Sequence, residues 1–366
     1  MAYICTMPDP IPMTKVHKGR GAVSNPEGRF ESTRRQAEDD GWYRDDDEHR
    51  PATEVREELA RSVISRNESP DIGFDQALNP YRGCEHGCIY CYARPSHAYL
   101  NLSPGLDFET KLFAKTNLAE TLRSELSKKN YICKPINIGS NTDPYQPIEK
   151  TWRLTRAALA LLNECHHPCT IVTKNALIER DIDILAPMAE RHLVQVFISI
   201  NSLDNKLASK LEPRASAPHR RMQAVKTLRD AGIPVGVLVA PIIPALNEKD
   251  LEAIIERAAA NGANSIGYTC VRLPHELKQL FREWLEQHFP DRATHVMSLI
   301  QQMNGGKDYD SNFATRMRGQ GIFADVIRKR VQVACRKVGL HRAWDTWLDT
   351  GQFVPPRMHS PQGELF

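Results

Sequence analysis

Between residues 135 and 274 five short apolar runs alternate with four amphipathic stretches, and no other feature constrains the fold as much. The apolar runs are PINIGSN (135–141), CTIVTKN (169–175), LVQVFISIN (193–201), IPVGVLVAPIIP (233–244) and NSIGYTCVRLP (264–274). Between them lie helical patterns. In TWRLTRAALALLNEC, Leu154, Ala158, Leu161 and Leu162 fall on one face, at the 3.6-residue period of a helix. Strands that are apolar on both faces need cover on both faces, which is the signature of a parallel sheet between helices. A first strand or turn before Cys84 brings the count to about six β/α units. A complete eight-unit barrel needs more, so the fold expected is α/β, a partial (β/α)6 barrel. A doubly wound open sheet is the alternative.

The flanks read differently. Residues 1–70 carry EDDGWYRDDDEHRP and almost no apolar periodicity. They are expected to form a mostly irregular, more mobile arm with one helix near Thr53–Val63, packed on the domain through Phe30, Trp42 and Tyr43. The core is expected over 75–273 and a helical extension over 274–366, with MNGGKDYDSNF as a loop. The 366 residues carry a net charge of only +3, so global charge forces neither a nucleic-acid nor a membrane partner. No run of about 18 apolar residues is present, so no transmembrane helix is expected. The N-terminus lacks an apolar signal region, and a cytoplasmic location follows as the expectation.

The nine cysteines are too few and too uneven for a secreted disulfide framework. Three of them, Cys84, Cys88 and Cys91, crowd into NPYRGCEHGCIYCYARP (79–95). A structural zinc ion wants four protein ligands. A fully protein-held [4Fe–4S] cluster also wants four thiolates. Three thiolates leave one iron open for a small molecule. Gly83 and Gly87 let the loop wrap tightly. Zinc with His86, His97 or Cys133 as fourth ligand, as a non-catalytic or electron-transfer module, is the alternative. Cys165 and Cys169 in CHHPC read as buried small hydrophobes, with a second metal site as the minority reading.

This Cys-x3-Cys-x2-Cys loop, with Tyr90 before the third cysteine, resembles the cluster loop of the radical S-adenosylmethionine (radical SAM) superfamily. TDPYQPIE, IVTKNALIERDIDIL, FISINSLDNKLASKLEPRAS and APIIPALNE follow in order and resemble the branch related to spore photoproduct lyase. The resemblance implies a [4Fe–4S] cluster on Cys84, Cys88 and Cys91, S-adenosylmethionine on its open iron, and a 5′-deoxyadenosyl radical that abstracts hydrogen. It implies a reducing partner such as a flavodoxin or ferredoxin. It also implies cofactor contacts at strand ends, from Ser140, Asn141, Lys174 and Ser199. Tyr90, Glu212 and Arg272 are further cofactor candidates. Glu212 and Arg214 could instead pair with each other, and strand-end polarity satisfied by turns explains the serines equally well. Asp143 and Glu149 read either as substrate-positioning groups or as turn and helix-start carboxylates.

In the related lyase a cysteine after the second strand donates hydrogen and is refilled through tyrosines. Here Tyr90 and Tyr92 remain, Ser140 stands at the cysteine's place, and Cys270 is the one substitute thiol. Tyr92 and Cys270 are therefore the catalytic candidates beyond the cluster. IRKRVQVACRKVGLHRAW, followed by Trp347, is basic with aromatics. It suits a nucleic-acid substrate or an ordinary solvated helix face.

Overall fold

The computed structural model describes residues 14–31, 51–342 and 348–357. The strands are β1 (Glu54–Glu58), β2 (Ile64–Arg66), β3 (Gln76–Leu78), β4 (Tyr81–Arg82), β5 (Lys111–Lys115), β6 (Ile136–Ile138), β7 (Cys169–Thr173), β8 (Val194–Ser199), β9 (Val235–Ile242), β10 (Ser265–Cys270) and β11 (His341–Arg342). The main sheet runs β11-β10-β9-β8-β7-β6-β3-β2. Every neighbour from β3 to β11 is parallel, and only the edge strand β2 is antiparallel. Strands β3 and β6–β10 supply the six parallel units. The edge strands β2 and β11 do not pair with each other, so the sheet is open among the described residues.

Burial explains the topology. All six residues of β8 are buried, as are all three of β6. The helix Leu154–Glu164 lays Leu154, Ala158, Leu161 and Leu162 against the sheet. Register then sets the site. Leu78 sits opposite Ile138, Ile138 opposite Ile171, Thr173 opposite Ile198, and Ser199 opposite Leu238. The strand ends are therefore staggered, β7 running two residues past β6, β8 one past β7 and β9 four past β8, and the residues just past them line one stepped rim.

A second core joins the helices Leu277–His288 and Pro290–Met303 to the back of the cysteine loop. Trp284 is fully buried there, stacked on Phe281 with 5.8 Å between centroids. Ile89, Leu211, Ala22 and Val23 belong to the same cluster. The C-terminal segment 348–357 crosses the opposite end of the sheet. Its Val354 N–H donates to the Cys165 carbonyl at 2.9 Å, and Phe353 packs edge-on to His167 at 5.1 Å.

One expectation changes. Residues 54–58 form a strand, not part of a helix over 53–63, because β1 pairs in parallel with β5 in a separate three-stranded sheet. Arm residues 20–24 are buried, whereas Phe30 is half exposed and stacks on Tyr99 at 5.0 Å. Trp42, Tyr43, Trp344 and Trp347 lie outside the described residues.

Candidate cluster and cofactor site

The cysteine loop leaves β4 and turns on two glycines with positive φ, Gly83 (75°) and Gly87 (66°). A Cβ on Gly87 would stand 2.7 Å from Glu109 Oε2, so the loop tolerates no side chain there. The loop backbone is tied from several sides. The Thr142 hydroxyl donates to the Gly83 carbonyl at 2.6 Å, and Gln146 Oε1 accepts from Glu85 N–H at 2.8 Å. Arg94 Nε donates to the Cys88 carbonyl at 2.8 Å, and its Nη2 to the Gly87 carbonyl at 3.0 Å. Arg94 is fully buried and paired with the equally buried Glu109. Glu109 also accepts from the N–H groups of Gly21 and Ala22, at 2.9 and 2.8 Å. The arm therefore packs backbone against backbone: a Cβ on Gly21 would sit 1.7 Å from the Gly87 carbonyl oxygen.

The loop's polar backbone is satisfied by protein. None of Cys84, Cys88 and Cys91 is in a disulfide, and the Cys84 thiol is met by the Asp143 backbone N–H. Burial, reinforced by the charge of Asp143, pushes the Cys84 thiol well above its ordinary range. Burial likewise pushes Cys88 up to about 12, against the pull of Lys174. Such thiols ionise only when a positive centre takes the thiolate charge, which is what metal coordination does. Among the described residues no three His, Cys, Asp or Glu side chains are gathered tightly enough for a single ion. Of the candidate zinc ligands, His97 and His86 each engage one ring nitrogen elsewhere. His97 Nε2 is 2.9 Å from the Lys111 carbonyl, and burial lowers its pKa to about 4. His86 Nε2 meets Asn175 Nδ2 at 3.2 Å. Cys133 precedes β6, at the end of the sheet away from the loop, as do Cys165 and Cys169. The donor set fits a polynuclear cluster with an open position better than zinc.

Lys174, just past β7, is the cation of the rim. Burial would lower its pKa, but the charges of Cys88, Glu212, Asp143 and Cys91 outweigh burial and raise it. Its ammonium makes no hydrogen bond among the described residues, which leaves it free for a carboxylate. Asp143 is structural. It accepts from Thr173 Oγ1 at 2.7 Å and from the N–H groups of Lys174 and Tyr145 at 2.8 and 2.9 Å. Its Oδ2 is also 3.3 Å from His86 Nδ1, an electrostatic contact without hydrogen-bond alignment. Burial would raise its pKa, yet His86, Lys174 and Thr173 bring it down to about 2. It fastens the cysteine loop to the ends of β6 and β7. Glu149 is structural too. It accepts from Tyr81 and Arg180 and from the N–H groups of Thr155 and Arg156 at the start of helix Leu154–Glu164.

Glu212 and Arg214 do not pair with each other. Arg214 reaches Glu85 at 3.2 Å, while Glu212 is buried between Arg221 and the Tyr90 hydroxyl. Arg221 also donates to the Ser199 carbonyl at 2.8 Å. Asn201 Nδ2 reaches the Tyr90 hydroxyl at 3.3 Å, and its buried Oδ1 is left without a partner. Ser140 Oγ accepts from Asn79 Nδ2 at 3.0 Å, and the Asn141 N–H donates to Asn79 Oδ1 at 2.8 Å. The Tyr92 hydroxyl donates to the Ser140 carbonyl. Arg272 stacks over the Tyr92 ring at 4.6 Å instead of standing free to take a carboxylate, and it donates to Met317 Sδ at 3.0 Å. Cys270 is placed apart from the loop. Its thiol donates to the Arg318 carbonyl at 3.2 Å, and burial pushes its pKa up to about 12. Sequence reasoning missed Arg94, Glu109, Arg221 and Asn201. The one available signal was an arginine three residues after Cys91, closing the otherwise uncharged run CIYCYARP.

The Radical SAM superfamily model matches residues 78–258, from the end of β3 through most of helix Leu251–Ala260. The chain belongs to the radical SAM superfamily. An uncharacterized protein of Mycobacterium tuberculosis is 32% identical over 249 residues, 67% of this chain and 73% of the relative. One from Methanocaldococcus jannaschii is 30% identical over 232 residues, 63% of this chain and 82% of the relative. The structure of spore photoproduct lyase complexed with dinucleoside spore photoproduct superposes with a TM-score of 0.52 at 16% identity, over 78% of this chain and 79% of that one. At that identity the likeness is one of fold. The protein is thus a radical SAM enzyme with the architecture of spore photoproduct lyase. None of its described helices is long and apolar enough to cross a membrane.

Proposed function

We propose that the protein holds a [4Fe–4S] cluster on Cys84, Cys88 and Cys91 and binds S-adenosylmethionine at the open iron. The observation that carries this reading is the loop itself: three cysteines free of disulfides, on a backbone fixed by Arg94, Gln146 and Thr142. When bound, the pair supplies one electron to the sulfonium and a 5′-deoxyadenosyl radical for hydrogen abstraction. The chain's own part is binding and exclusion of water. Lys174 offers a charge to the methionine carboxylate. Asn201 Oδ1 is an unfilled acceptor beside Tyr90 for a hydroxyl or amino donor. Glu212 and Arg221 hold Tyr90 in place. A small flavodoxin- or ferredoxin-like protein supplies the electron.

The substrate is another molecule than spore photoproduct. Ser140 follows β6 where a hydrogen-donating thiol would be needed, an O–H bond is too strong to replace S–H, and Cys270 is tied to Arg318. A nucleic acid remains the substrate class we favour, on the analogy of fold alone. The test is anaerobic incubation with dithionite and S-adenosylmethionine. 5′-Deoxyadenosine should form, disappear in Cys88→Ala and persist in Cys165→Ala. Normal formation by Cys88→Ala overturns the ligand assignment.

A further inference from the structure

We propose that residues 304–320 are a clasp across the open seam of the barrel, and that its release is the side entrance to the three-cysteine rim. The segment leaves and returns at one point. Gln320 N–H donates to the Met303 carbonyl at 2.9 Å, which makes the excursion a compact Ω-shaped loop. Its start is pinned by Asp308, held by Arg282 Nη2 at 2.7 Å and Gln301 Nε2 at 2.9 Å. Its far side touches both margins of the sheet. On the β10 side, Cys270 N–H donates to the Met317 carbonyl at 2.8 Å and the Cys270 thiol to the Arg318 carbonyl. On the other side, Arg316 grips Asp71, in the β2–β3 connection, through two bonds of 2.6 Å. Strand pairing does not join these margins, and this side-chain pair does.

Two further observations make the closure releasable and tie it to the site. Apolar anchoring is slight: Phe313 at the tip is 47% exposed, and a small cavity lined by Cys270, Ile300, Met303 and Arg316 remains beneath the loop. Arg272 lies between the Tyr92 ring and Met317, so one side chain links the clasp to the residue that follows Cys91. A loop held by few polar bonds opens at low cost relative to a core strand.

The role as an entrance rests on the radical SAM reading of the rim, whereas the clasp itself does not. The test is hydrogen–deuterium exchange on the full chain, first without cluster. Asp71→Ala should speed exchange over 309–319 by about tenfold, the bias expected of a largely buried two-bond carboxylate–guanidinium pair. Exchange in β7 and β8 should stay unchanged, and the charge swap Asp71→Arg with Arg316→Asp should restore protection. In the reconstituted protein, Asp71→Ala should also speed iron removal by the bulky chelator bathophenanthroline disulfonate. Unchanged exchange over 309–319, acceleration spread into β7 and β8, or a swap that fails to restore protection each overturns the clasp. Unchanged iron removal overturns the entrance. A chain that assembles no cluster contradicts the proposed function and leaves the exchange result intact.

Discussion

At the scale of single residues, the rim sorts into groups that hold the loop and groups left over for ligands. Lys174 is the clearest of the second kind. Lys174→Ala should weaken S-adenosylmethionine binding to the reconstituted protein by roughly 10- to 100-fold, the loss of one charge-assisted contact. Titration calorimetry reads this directly, and unchanged affinity would remove Lys174 from the cofactor site. Asp143 is of the first kind, and its depressed pKa gives a pH signature. A carboxyl brought from 3.8 down to about 2 contributes stability that is present above pH 4 and fades as pH falls toward 2. The contribution is on the order of 2 kcal/mol. Asp143→Asn should therefore be less stable than the parent at pH 5, with the gap closing near pH 2.5. Urea unfolding at both values checks the sign, and a gap that widens in acid contradicts it. The three thiols were legible because spacing and glycines are local facts. Arg94 with Glu109, and Arg221 with Glu212, were not, because each role depends on where another segment lies after folding. Glu109 is read only once the arm at Gly21 is placed upon it.

At the scale of elements, five of the six parallel strands were legible because burial on both faces writes a continuous apolar run, whereas the short β3 was expected only as a first strand or turn before Cys84. β1 was not. EVREE has one apolar residue, and its glutamates and arginines fit a helix period as well as an edge strand. Its pairing with β5, more than fifty residues away, decides the matter. The helical extension proved to be part of the site's support, through the core shared by Trp284 and Ile89. Trp284→Ala should cost about 3–5 kcal/mol, as large-to-small changes in a packed core do. It should also speed cluster loss on exposure to air, because the loop's back wall is gone. Chemical denaturation and the decay of cluster absorbance test the two parts separately. A stable variant with an unaltered decay would detach the extension from the loop. Gly21→Val tests the arm: with no room before the Gly87 carbonyl, it should lower cluster occupancy while leaving the far-UV spectrum of the barrel in place.

At the scale of the whole molecule, the sheet presents one stepped rim, and the arm, the extension and the 304–320 loop all converge near it. Architecture is shared with spore photoproduct lyase, but the thiol that direct reversal requires is absent from the strand-end position. Reduced enzyme with S-adenosylmethionine should therefore leave a dinucleotide photoproduct unrepaired, and clean repair would show that a thiol reaches the substrate by another route. The cluster proposed for the loop has three cysteine ligands and four irons, one of them open. Protein reconstituted without oxygen should carry about four irons and four sulfides per chain, and its reduced-state electron paramagnetic resonance signal should shift when S-adenosylmethionine is added. A colourless protein with one zinc per chain, or a four-iron cluster whose signal ignores S-adenosylmethionine, would contradict it.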